Sequence, residues 1–245
     1  MTDQLPLTIA QGRDTELLSE IWQRPFFLLV VVWSGFAFLM LLEHWLALDF
    51  RLADTLYRLQ GNSWALQDHL ILQQWLHLGG RTLSQSMGAV VLLSLFASLI
   101  SVSLLQWRRP LLFLFLAVAV STLTVSMLKQ LIPVDCPWDL VRYGGELPFV
   151  SMLGQRSAWM PDTACFPAGH ASAGYAWIAF YFFLAATRPR WRWFGLVIGF
   201  GLGLVFGIAQ QIRGAHFFSH DLWALMICLT ISIVLAAWLL PAQPR

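Results

Sequence analysis

Charge is what this chain has least of. Of 245 residues, 15 are Lys or Arg and 13 are Asp or Glu, 11% in all, against about 25% in ordinary soluble domains. So few charges cannot clothe a soluble domain of this length. The net charge of +2 supplies no basic face, which excludes a nucleic-acid binder. An apolar share of 58% excludes disorder. The alternating ten-residue strands of a membrane barrel are missing, as are repeats, low-complexity tracts and soluble linkers. Lysine occurs once, at Lys129.

What is abundant is apolar sequence in long runs. They cover 26–48, 87–105, 111–132, 171–187, 194–212 and 222–240, each within the roughly 17–25 residues that cross a bilayer. Backbone in lipid must satisfy its own hydrogen bonds, so runs of this length cross as helices. The expected fold is all-α, a polytopic membrane protein built as a six-transmembrane-helix bundle, with 1–245 forming one domain. The first run is too long for the apolar part of a signal peptide, and Asp14, Glu16 and Glu20 precede it. It reads as a retained anchor.

Arginine placement sets the expected orientation. Arg108 and Arg109 lie between the second and third runs, Arg188, Arg190 and Arg192 between the fourth and fifth, and Arg13, Arg24 and Arg245 near the termini. These groups share one face, expected to be cytoplasmic, with both termini on it. Segments 49–86, 133–170 and 213–221 then face outward. In 49–86, Leu52, Leu56 and Leu59 recur at helical spacing, as do Leu70 or Ile71, Trp75 and Leu78, with a break at Gly61-Asn62. Two short amphipathic helices on the outer surface are expected. Residues 11–24 carry a similar pattern for the inner surface.

Ionisable groups at span ends are functional candidates, and four clusters fall on the outer face. Lys129 closes the third run; it is either a snorkelling anchor or a compact cation for a phosphate oxygen. Asp135 to Asp139, with Arg142, Tyr143 and Gly144-Gly145, is either a solvated loop or a carrier of the forked Arg142 contact to phosphate. Cys165 to His170 is a Pro- and Gly-bearing turn at a helix start, where free N–H groups favour an anion. His170 is there either a cap or a proton donor to a leaving oxygen. Arg213 to Asp221 packs one arginine, two histidines and an aspartate into one turn. It is either a polar turn with Asp221 capping the last span or a histidine nucleophile oriented by a carboxylate. Together these groups make a phosphoryl-transfer kit, in which cations hold oxygens, one histidine attacks phosphorus and another protonates the leaving group.

On these residues the chain resembles the type 2 phosphatidic-acid phosphatase superfamily of membrane lipid phosphatases. Its signature runs K-x6-R-P, then P-S-G-H, then S-R-x5-H-x3-D. Here Lys129 is followed after six residues by Cys136-Pro137, Pro167-Ala168-Gly169-His170 matches the second part, and Gly214-Ala215-His216 followed by Asp221 resembles the third. The likeness covers about 87–240, and 49–86 matches only as a surface segment. The departures are Cys136 for the first arginine, Ala168 for the serine, Gln210 at the expected third-part arginine, and an Asp five residues after His216 with His220 at the usual place. Arg213 stands one turn from its motif position, and a one-residue bulge would restore the Asp221 pairing.

The resemblance implies His216 as nucleophile, Asp221 as its orienting partner and His170 as general acid and then base. It implies Lys129, Arg213, Arg142 and the Gly169 amide as the phosphate cradle. His44, His69, His77 and His220 read as structural or interfacial. No metal and no other cofactor is expected, since the histidines lack the H-E-x-x-H spacing of catalytic zinc. The expected partners are a lipid phosphate substrate and membrane lipids; the oligomeric state stays open. Cys136 and Cys165 both face the expected oxidising side and are candidates to pair, and Cys228 reads as packing. The reading is a phosphatase acting on a lipid phosphomonoester or diphosphate at the outer face through a phosphohistidine. Two alternatives stay open, a lipid-to-lipid phosphotransferase and a non-catalytic transporter or lipid-binding protein.

Overall fold

The computed structural model describes residues 25–152 and 154–240. The inner-surface segment 11–24, its acidic residues, and Arg13, Arg24 and Arg245 lie outside them. The described chain is all-α, with one isolated bridge between Leu140 and Leu147. The helices are α1 (Pro25–Leu46), α2 (Leu48–Leu59), α3 (Gly80–Ile100), α4 (Arg108–Leu131), α5 (Gly169–Tyr175), α6 (Ala179–Thr187), α7 (Arg192–Ile212) and α8 (Phe218–Leu239). Five helical stretches are long and apolar enough to cross a membrane: Pro25–Leu46, Ile71–Ile100, Val102–Leu131, Pro189–Ile212 and Phe218–Leu239. The predicted fourth run, 171–187, is helical but segmented. It comprises α5, a 3-10 turn Ala176–Ile178 and α6, of seven, three and nine residues.

Two expectations at the second run change. It was expected to begin at residue 87, beyond a separate surface helix. Instead a π-helical turn, Ile71–Gly79, passes without a break into α3, giving one helical stretch of 30 residues. Gly79 and Gly80 both keep right-handed helical dihedrals, so the glycine pair does not end the helix. The other end comes earlier than expected, at Ile100. Arg108 donates to the carbonyls of Ser98 at 2.6 Å and Leu99 at 3.0 Å, satisfying orphan acceptors of the last turn. The first predicted surface helix is present as α2.

Helix α7 carries Gly195, Gly199, Gly203 and Gly207 at every fourth position, all buried on one side. Such a stripe lets two backbones approach in lipid. A Cβ at Gly199 would run into the backbone of Trp177 and Ile178, and one at Gly195 into that of Phe180. One at Gly203 would strike the Tyr175 ring, and one at Gly207 the Asp221 carboxylate. The largest buried cluster, built on Phe113, Leu114, Trp177 and Ile233, fills the space among α4, the 3-10 turn and α8. Helix α1 leans on α8 through Phe36 and Trp223, with ring centres 4.8 Å apart.

The start of α8 is capped from another part of the chain. The Asp49 carboxylate, in α2, accepts from the Ser219 amide at 2.8 Å and also from its hydroxyl. The simplest reading of Asp221, as the cap of this helix, therefore gives way to Asp49.

Two predictions arise from the packing. Gly199→Leu should destabilise the bundle by about 1–3 kcal/mol, since backbone cannot yield as a side chain can; a melting temperature in detergent equal to wild type would contradict this. Burial, opposed by the bonds from Ser219, pushes the Asp49 carboxyl up from 3.8 to about 6. Between these values the folded chain holds a proton that the unfolded chain has lost. This group's contribution to stability therefore falls as pH rises through that window. Asp49→Asn should flatten the fall, as read from melts at about pH 4.5 and about pH 7.

Candidate functional site

The candidate groups gather at the end of the bundle opposite the arginine-rich turns. Lys129 closes α4, and Gly169 and His170 open α5. A Cβ at Gly169 would stand 3.2 Å from Lys129 Cδ and 3.5 Å from its Nζ. The lone ammonium thus lies against the first turn of α5, where free amides favour an anion. The start of α5 is tied to the start of α8 by the Ala168 amide, which donates to the His220 carbonyl at 3.2 Å. His170 is buried, and its Nε2 lies 2.8 Å from the Leu76 carbonyl. A carbonyl only accepts, so Nε2 carries the hydrogen.

The π-helical turn supplies a residue that sequence reasoning set aside. His77 packs its ring 4.6 Å from that of His170, and its Nδ1 accepts from Gln210 Nε2 at 2.9 Å. The Gln210 oxygen in turn accepts from Arg213 Nη1 at 3.0 Å, and Arg213 Nε donates to the Gln67 carbonyl. Gln210 occupies the expected arginine position, and here it links the displaced Arg213 to His77. In the sequence Trp75 suits the interface and His77 reads as structural or interfacial; the π-helical widening, which recurs at functional sites, shows only in the structure.

His216 lies in the turn between α7 and α8, buried, with Nδ1 unpartnered. Burial, reinforced by the positive charge of Lys129 and by His220, holds its ring well below the ordinary 6.5, with His170 acting in the same direction. His216 is therefore within electrostatic reach of both Lys129 and His170. Its ring neighbour is His220, with centres 5.8 Å apart. The bulge that would bring Asp221 to His216 does not form. Helix α8 already begins at Phe218, and a helix turns about 100° per residue. Residue 221 therefore points elsewhere than residue 220. The Asp221 carboxylate accepts from Gln211 and abuts Gly207, with Oδ1 unpartnered. The turn itself needs Gly214, whose φ is +75° and whose missing side chain makes room for Trp64. The Trp138 amide donates to the Gly214 carbonyl at 3.0 Å.

Arg142 is not brought to this group. Its guanidinium forks onto Asp54 at 2.8 and 2.6 Å and lies over the Phe50 ring. The pair holds the Asp54 carboxyl below its usual range, with Tyr143 also donating to it at 2.9 Å. These residues line a separate cleft with Tyr57, Arg58 and Asn62. Cys136 and Cys165 form a disulfide across 29 residues. It joins the loop after Lys129 to the loop before His170, beside an ion pair of Arg156 with buried Asp135 at 2.6 Å. Among the described residues one grouping has metal-ligand proximity, Cys136, Asp139 and Cys165, but the disulfide occupies its sulfurs. Cys228 is free and fully buried against α5.

A cavity of about 520 Å³ lies among α3, α4 and α5, and neither Arg213 nor His216 is in its lining. Its polar end is lined by His77, Arg81, Lys129, Gly169 and His170, its middle by Ser84, Gln85, Thr122 and Ser126, and its far end by Val91, Leu114, Phe115 and Val118.

Comparison with known proteins gives one positive finding: the family described as the PAP2 superfamily matches residues 110–243, more than half of the chain. No curated protein and no solved structure matches it.

The disulfide has a direct check. Non-reducing peptide mapping should recover Cys136 and Cys165 in one linked species, with Cys228 free. Reduction should lower the melting temperature, since closing a loop of this length contributes about 3.6 kcal/mol in the chain-entropy account. Two free thiols, or a melt indifferent to reductant, would contradict the link.

Proposed function

Because the chain belongs to the PAP2 superfamily, we propose that it is a membrane phosphatase that removes phosphate from a lipid through a phosphohistidine on His216. The observation that carries the lipid reading is the cavity, cationic at one end and apolar at the other. A soluble phosphate ester has no use for the apolar end. A transporter would be expected to place its ionisable groups near the midplane with broken helices around them, whereas these groups collect at helix ends.

In this reading the segmented helix 169–187 is the sixth crossing. The arginine-rich turns face the cytoplasm, both termini lie there, and the site opens to the outer face of the cytoplasmic membrane. Lys129, Arg213 and the Gly169 amide hold the phosphate oxygens. A bound dianion favours the imidazolium form of His170. A His216 nitrogen attacks phosphorus, the bond from phosphorus to the lipid oxygen breaks, and His170 protonates that oxygen. His170 then takes a proton from water, whose oxygen attacks the phosphohistidine. The P–N bond breaks, and inorganic phosphate leaves. Charge on the chain's own lysine and arginine supports the transition state, and no step is assigned to a metal. The ring of His220 lies 5.8 Å from that of His216, whereas the Asp221 carboxylate is engaged by Gln211, which supports His220 rather than Asp221 as the residue that orients it.

His216→Ala should lower kcat against lipid phosphates by at least about a thousandfold. Activity near wild type would remove the nucleophile assignment. The pH dependence carries a sign as well. Burial favours the neutral, nucleophilic ring, so the acid limb of kcat/KM should fall below pH 6.5. A limb centred above about 7 would show that another group governs it.

A further inference from the structure

Resting on the phosphatase reading, we infer that Arg81 forms a second anion subsite and that the chain selects a lipid diphosphate over a lipid monophosphate.

The first ground is charge. Arg81 and Lys129 line the cavity together with His77, and Arg213 is linked to His77 through Gln210, so three cations lie about this end of it. No carboxylate lines the cavity. Among the described residues no ion pair engages any of the three, although Asp68 acts on Arg213 from a distance. A phosphate monoester brings a charge of about −1.5 to −2 near neutral pH, which Lys129 and Arg213 already balance. Arg81 is itself exposed and lines the cavity without an ion pair among the described residues, which leaves its guanidinium to fork onto a further negative group. A diphosphate head supplies it.

The second ground is order along the cavity. Arg81 follows His77 by four residues, so it stands on the same helix face about 6 Å further along α3. Gln85 lies one turn beyond, and Gly88 and Val91 follow toward the apolar end. On the facing helix, Lys129, Ser126, Thr122, Val118 and Phe115 run in the same sense. A chain-like lipid laid with its tail against Val91 and Phe115 must pass Arg81 before its terminal phosphate reaches Lys129 and His170. The phosphate next to the tail therefore meets Arg81.

The reaction balances with the same groups. The bond between the terminal phosphorus and the bridging oxygen breaks, and the phosphoryl group moves to His216. The proton from His170 goes to the bridging oxygen, which leaves as part of the lipid monophosphate. Water then releases inorganic phosphate. Arg81 holds the departing phosphate, so it acts on specificity and on leaving-group charge.

The test separates binding from chemistry. Binding of farnesyl diphosphate and farnesyl monophosphate is measured on full-length His216→Ala in detergent, alone and combined with Arg81→Ala or Arg81→Lys. Hydrolysis of both lipids is measured with the corresponding forms that keep His216. The expected result is tighter binding of the diphosphate, an Arg81→Ala loss about tenfold larger for the diphosphate than for the monophosphate, and partial recovery with lysine. The ratio of kcat/KM values should move the same way. Equal affinity for the two lipids, or equal losses on removing Arg81, would overturn the subsite. A diphosphate preference that depends on Arg81, in a protein that hydrolyses neither lipid, would uphold the subsite and overturn the phosphatase reading.

Discussion

Direct backbone contact along the glycine face of α7 is the constraint from which the arrangement follows. Gly195 and Gly199 admit the chain of the segmented helix against α7, and Gly203 admits Tyr175. The last glycine of the series, Gly207, meets Asp221. The stripe thus runs from the arginine-rich end to the candidate site, and it sets the distance between α5 and the turn bearing His216. Without it His170 and His216 could not lie in one electrostatic neighbourhood, because bulky side chains would hold the two helices apart. The amide of Ala168 on the His220 carbonyl closes the same assembly from the other side.

Within that frame the cationic site is rewired relative to the signature it resembles. The residue in the first arginine position, Cys136, is committed to a disulfide. The residue in the other, Gln210, is a spacer that takes a bond from Arg213 and gives one to His77. Arg213 therefore reaches the site from one turn further on, held by a side-chain amide and by the Gln67 carbonyl. Guanidinium groups keep their charge under burial, so such a shift alters geometry without losing positive charge. His77 and Arg81 come from the extended first turns of α3, outside 110–243, the part of the chain that the family match covers.

Much of this could be read from residues alone, for physical reasons. Apolar runs announce spans because lipid allows little else; four of the six predicted runs coincide with single long helices to within a few residues, while 87–105 runs past the helix end at Ile100 and 171–187 is segmented. The clusters at Lys129, His170 and Arg213 to His216 stood out because charge is scarce. Three features were hidden. The continuity of 71–100 was hidden because the apolar run begins only at Met87, whereas the helix runs on through Gly79-Gly80 from Ile71. The pairing of Asp221 depended on whether a bulge forms, which spacing does not decide. Arg142 found an ion-pair partner in Asp54, 88 residues away, and such long-range pairs leave no local pattern. The four-residue glycine period of α7 stands in the sequence, but which backbone it admits is decided by the packing.

The length of the stretch from Ile71 to Ile100 has a bearing on depth. Thirty helical residues measure about 45 Å, whereas the hydrocarbon layer is about 30 Å thick. Counted from the Ile100 end, where Arg108 and its neighbours mark one interface, the hydrocarbon ends near Gly80. The turns bearing His77 and Arg81 therefore stand in the polar zone where glycerol backbones and head-group phosphates already reside. On the proposed lipid reading, a substrate would diffuse sideways into position at its resting height, and the protein would be spared the work of hoisting it out of the leaflet.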